Sequence, residues 1–111
     1  MTTPSIDRDT FCELQANAGA EFVIELVDAF AEEAPTLLAE LRNAVAAGSA
    51  DRFRRAAHSL KSNSHTFGAL RMGELARSLE LGGLPTEASA VDVLQREFEL
   101  AVAALKALAR G

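Results

Sequence analysis

Apolar residues recur along this chain at steps of three and four, the period of a helix that buries one face. Gly19, Gly48, Gly68 and the run Gly82-Gly83-Leu84-Pro85 punctuate the pattern and divide it into five helical segments. A short first helix is predicted after Pro4-Ser5, with Ser5 or Asp7 as N-cap, fading at Asn17-Ala18-Gly19. The second covers about 20 to 46 and carries Phe22, Val23, Leu26, Phe30, Leu37, Leu41, Ala44 and Val45. Pro35 should bend it, because the ring removes an amide donor and crowds the preceding turn. Gly48 ends it, Ser49 caps the third helix, and Asp51 suits the positive first turn. The third helix runs to Phe67 and stops at Gly68, and a fourth covers about 69 to 81. The fifth begins near Thr86 and carries Val91, Leu94, Phe98, Ala101, Leu105 and Leu108. Four long amphipathic helices with short connections predict an all-α, up-down-up-down four-helix bundle, with the short N-terminal helix lying across one end. The expectation is one domain over residues 1–111, the extra helix in 1–18 and the bundle in about 20–110.

Composition strengthens the helical reading. Of the 111 residues 49% are hydrophobic but only 5% aromatic, with six Phe and neither Tyr nor Trp, poor material for strands. Eleven basic residues against sixteen acidic ones leave a net charge of −5, which argues against a nucleic-acid binder. No apolar run reaches the roughly twenty residues of a membrane span. Met1 to Asp9 lacks the layout of a secretory signal, and the lone cysteine, Cys12, cannot make an internal disulfide. A soluble, cytoplasmic, monomeric protein is the expectation, with Cys12 as a small hydrophobe and Met72 in the core.

The third helix is where chemistry can sit. At ~100° per residue, Phe53, Ala56, Leu60 and Phe67 share one side. His58 falls opposite, near Arg54, Lys61, Ser62 and His65, so an imidazole on a solvated face has a cation at i+3 and a small hydroxyl at i+4. By itself this describes any surface histidine among charges. His65 lies two turns on, ~10 Å away, too far to share a metal with His58. Asn63 and Ser64 flank the buried stripe, where they hydrogen-bond the backbone or permit tight packing. No Gly-x-x-x-x-Gly-Lys or Gly-x-Gly-x-x-Gly string is present, so neither an ATP site nor autokinase activity is expected.

Residues 57–69 read AHSLKSNSHTFGA. This string resembles the signature of histidine phosphotransfer (Hpt) domains, at Ala57, His58, Leu60, Lys61, Ser64, Gly68 and Ala69. The likeness extends to Glu74, Leu75, Leu79 and Glu80 on the fourth helix and covers roughly residues 20–105. One departure is Ser62, where the family often carries glycine. The resemblance implies a phosphocarrier relaying a phosphoryl group between receiver-domain aspartates through a phosphohistidine at His58. It further implies that Lys61 and Ser62 stabilise the phosphoryl group, and that Glu80 accepts the Nδ1 proton of His58, leaving Nε2 to attack. A surface salt bridge of Glu80 with Arg77 or a nearby basic residue is the alternative for that residue. The implied partner is a receiver domain of a response regulator or hybrid kinase, which brings any Mg²⁺; the chain itself needs no cofactor. Arg54 and His65 would form a polar rim, and by resemblance Phe11 and Leu14, with Ile6 and Phe22, would supply an apolar docking patch.

Two other classes stay open at this stage. One is a helical-bundle adaptor that binds a signalling partner without carrying phosphate, distinguished by labelling of His58. The other is a metal-binding bundle, which lacks the Glu and His spacing such sites use.

Overall fold

The computed structural model describes residues 5–110, so Pro4, expected just before the first helix, lies outside the described residues. The described residues form five helices: α1 (Arg8–Ala18), α2 (Ala20–Ala47), α3 (Ala50–Phe67), α4 (Leu70–Leu81) and α5 (Ser89–Arg110). Helix α2 packs on α3, α3 on α4, α4 on α5 and α5 back on α2, which closes an up-down-up-down bundle; α1 packs against α2 and α3. No described helix is long and apolar enough to cross a membrane.

The helix ends follow from the residues that stand there. Asp7 is the N-cap of α1, and its Oδ2 accepts from Thr10 Oγ1 at 2.6 Å. Ser49 Oγ accepts from the Arg52 amide at 3.3 Å and caps α3. Gly48 and Gly68, with φ of 69° and 74°, close α2 and α3 in the left-handed conformation. Helix α2 continues through Pro35, which is exposed beside buried Ala34. Helix α5 starts at Ser89, three residues later than the sequence pattern suggests, because Thr86 to Ala88 still belong to the turn that follows Pro85.

The core is built from the predicted stripes. Phe53, Ala56, Leu60 and Phe67 of α3 are buried, as are Val91, Leu94, Phe98, Ala101 and Leu105 of α5. On α2, Val23, Phe30, Leu41 and Ala44 are buried, joined by Val27, Ala34 and Leu38; Phe22 is 52% exposed. Phe30 packs against both Phe67 and Phe98, with ring centroids 5.2 and 5.7 Å apart. Met72 is buried, whereas Cys12 is exposed, contrary to its expected place among the hydrophobes.

Helix α1 is a structural part of the bundle. Phe11 is 2% exposed and belongs to the core, and Leu14 and Ile6 are half-buried against it. The Asp7 amide donates to the Gly68 carbonyl at 2.7 Å, joining the start of α1 to the α3–α4 turn. Ser5 Oγ donates to buried Glu97 of α5 at 2.9 Å, and Arg71 Nε lies 3.5 Å from the other oxygen of that carboxylate. A burial this deep takes Phe11 out of any docking surface, which corrects the expectation drawn for it.

Candidate functional site

The seam between α3 and α4 is closed by small residues. Gly73 and Ala76 of α4 are buried there, and Ser64 of α3, also buried, turns its hydroxyl back to the Leu60 carbonyl at 2.6 Å. The absence of a side chain at Gly73 matters, because a Cβ there would stand 2.8 Å from the His65 ring. One helical turn further along α4, on the same face as Gly73 and Ala76, the seam delivers Glu80 to His58 and Lys61.

Glu80 bridges the two α3 residues. Its Oε2 lies 2.5 Å from His58 Nδ1, and its Oε1 accepts from Lys61 Nζ at 2.7 Å. The His58 side chain is 59% exposed, Lys61 22% and Glu80 13%, so an anchored carboxylate sits beneath an accessible imidazole. The Lys61 ammonium holds the Glu80 carboxyl below the usual carboxylate range; partial burial opposes this and the His58 contact assists it. An ionised carboxylate can only accept. The proton shared with His58 is therefore carried on Nδ1, and the lone pair of Nε2 is left facing away from Glu80.

Ser62 is exposed beside His58, and its carbonyl accepts from Thr66 Oγ1 at 3.2 Å. Arg54 is exposed and pairs with Asp51 at 2.8 Å. His65 is exposed, but its ring lies across Gly73 and not beside His58. Leu14 sits half-buried on α1, packed against the core. Glu80 pairs with a nearby basic residue, Lys61, and not with Arg77; His58 and Lys61 take both carboxylate oxygens.

Three features went unread in the sequence. The Glu97 carboxylate is buried with Ser5 and Arg71, Arg52 makes two bonds to Glu40 across the α2–α3 interface, and Arg42 joins Asp92 and Gln95. These pairs join residues far apart in sequence, so no local spacing signals them. A fourth, the grip of Asp51 on both Arg54 and Arg55, follows helical i+3 and i+4 spacing and was legible in principle.

The Hpt domain family model matches residues 25–108. The fold is similar to the crystal structure of histidine-containing phosphotransfer protein B from Pseudomonas aeruginosa PAO1, with a TM-score of 0.83 and 24% identity, covering 98% of this chain and 97% of that one. At that identity the likeness concerns the fold. No curated protein matches the chain by sequence. With a family match over most of its length and a bundle that presents a histidine on α3, the chain belongs to the Hpt domain family, the histidine phosphocarriers of phosphorelays.

Proposed function

We propose that His58 is the phosphoryl acceptor and donor of this chain, and that Glu80 and Lys61 prepare it. The observation that carries the reading is the bridge of one carboxylate to His58 Nδ1 and Lys61 Nζ. The Nε2 lone pair attacks the phosphorus of an aspartyl phosphate on a receiver domain. The N–P bond forms as the P–O bond to the aspartate breaks, and the carboxylate leaves with the electron pair. The Nδ1 proton stays on the ring, and the positive charge of the phosphorylated imidazole is balanced by Glu80. Reversal of the same step passes the phosphoryl group to a second aspartate.

Phosphoryl transfer has a loose, charge-spread transition state, so positioning and charge supply most of the catalysis. Lys61, one turn from His58, offsets phosphoryl charge while anchored on Glu80. Ser62 donates a hydrogen bond to the phosphoryl group or leaves room for it. Arg54 and His65 are assigned to the receiver contact, the Mg²⁺ of the reaction to the receiver, and no ATP site to this chain. The site would work in the cytoplasm as a monomer.

The test is transfer from a phosphorylated receiver. Acid-labile, base-stable label on the chain, lost in His58→Gln with helical circular dichroism retained, is the expected result. Receiver binding without label would make the chain an adaptor instead.

A further inference from the structure

The cations around His58 are not equivalent. Lys61 is held on the α4 side, where Glu80 occupies its ammonium. Arg54 and Arg55, one turn before His58, are both held by a single carboxylate: Arg54 Nη2 lies 2.8 Å from Asp51 Oδ1, and Arg55 Nη2 lies 2.7 Å from Asp51 Oδ2. All three side chains are well exposed, at 63%, 70% and 58% for Arg54, Arg55 and Asp51. Exposed pairs of this kind contribute little, so the arginines leave Asp51 at small cost.

Two geometric arguments point the phosphoryl group at these arginines. The nitrogens of an imidazole face away from each other, so with Nδ1 turned to Glu80 on α4, Nε2 faces away from that carboxylate. Helical side chains also lean toward the helix N-terminus. That lean directs the His58 ring toward the turn that carries Arg54 and Arg55. Arginine binds phosphoryl oxygens through a planar fork of donors, and a phosphoryl group carries more charge than the Asp51 carboxylate.

We infer that Arg54 and Arg55 form the second half of the phosphoryl-binding site, held by Asp51 while His58 is bare and passed to the phosphoryl oxygens once His58 is loaded. Asp51 is then a competitor that sets how tightly the phosphoryl group is gripped. The inference rests on the phosphorylation of His58 proposed above.

The test loads the full chain with phosphoramidate and follows the phosphohistidine by ³¹P resonance. The readouts are the pH midpoint of phosphoryl ionisation and the lifetime of the label. In Arg54→Ala/Arg55→Ala the midpoint should rise, because the doubly charged phosphoryl loses its partners, and the lifetime should fall about threefold. In Asp51→Asn, which frees both arginines, the midpoint should fall below that of the parent protein. Arg96→Ala, an exposed arginine on α5, should leave both readouts unchanged. Parent values in the double arginine variant, or an equal shift in Arg96→Ala, would overturn the inference. Absence of any phosphohistidine signal in the parent protein, or its survival in His58→Gln, would instead overturn the assignment of His58 and this inference with it.

Discussion

At His58 the decisive quantity is which nitrogen is free, and a neighbouring carboxylate determines it. Replacing Glu80 by Gln keeps the shape and removes the obligatory acceptor, so both ring tautomers become populated. Transfer should slow about tenfold or more in Glu80→Gln, a loss of roughly 1.4 kcal/mol of transition-state stabilisation. The ¹⁵N shifts of the ring should move toward a mixed-tautomer pattern; unchanged rates and shifts would remove Glu80 from the mechanism. Lys61→Ala should slow transfer or shorten the label's lifetime while costing about 1–2 kcal/mol of stability, since the half-buried Glu80 carboxylate then keeps only His58 as its partner. Kinetics and thermal melting on one sample check both halves. His65→Gln should retain label, because its ring rests on Gly73 and not beside His58. His58 and Lys61 were legible from their spacing on one helix together with the family signature. The small residues Gly73 and Ala76, on the same side of α4 as Glu80, mark the face that can approach another helix closely, but that Glu80 meets His58 was legible only through the resemblance.

The elements were legible because each helix carries its own stop: glycines after α1, α2 and α3, and Gly82 to Pro85 after α4. The side chains of α1 were harder to read. A short amphipathic helix offers an apolar stripe, and its pattern cannot say whether that stripe meets a partner protein or the end of its own bundle. Phe11 of α1 is 2% exposed and closes the bundle, whereas Phe22, at the start of α2, is 52% exposed. Phe11→Ala should therefore cost about 3–5 kcal/mol in chemical denaturation, and Phe22→Ala no more than ~0.5 kcal/mol. Removal of residues 1–16 should likewise lower the stability of the bundle strongly, because it takes Phe11 out of the core. Gly68 is the other fixed point: its φ is 74°, and a Cβ would meet the Asp7 carbonyl oxygen at 2.8 Å. Gly68→Ala should cost about 2 kcal/mol or more from the left-handed backbone and that clash together. Amide exchange should then quicken first in α1 and at the α3–α4 turn.

Over the whole molecule the charges are sorted by helix. α3 carries Arg52, Arg54, Arg55 and Lys61 against Asp51 alone, whereas α2 carries Glu21, Glu25, Asp28, Glu32, Glu33 and Glu40 against Arg42. Composition reports only the sum, −5, and hides the basic face beside His58. Glu40, Asp51 and Glu80 are each held below the usual carboxylate range, first by hydrogen bonds from Arg52, Arg54 and Lys61 respectively. Groups depressed in the folded state bind more protons when unfolded, so their contribution is present above the unfolded carboxylate range and is lost as pH falls through the folded values. Melting temperature should stay level from neutral pH down to that range and decline below it. Arg52→Met should make the acid decline shallower, because Glu40 loses the hydrogen bond that does most to lower its folded-state value. Melting curves of the two proteins across the acid range check the slope.

Cys12 has a practical consequence. It is exposed on α1, is the one sulfhydryl of the chain, and stands in a protein without Trp or Tyr. The chain absorbs little near-ultraviolet light, so a thiol-directed fluorophore on Cys12 would emit against an almost dark background. Detachment of α1 would free that dye to tumble while far-ultraviolet dichroism from the other helices held steady. A single label on the unaltered chain can thus separate peeling of one helix from collapse of the fold.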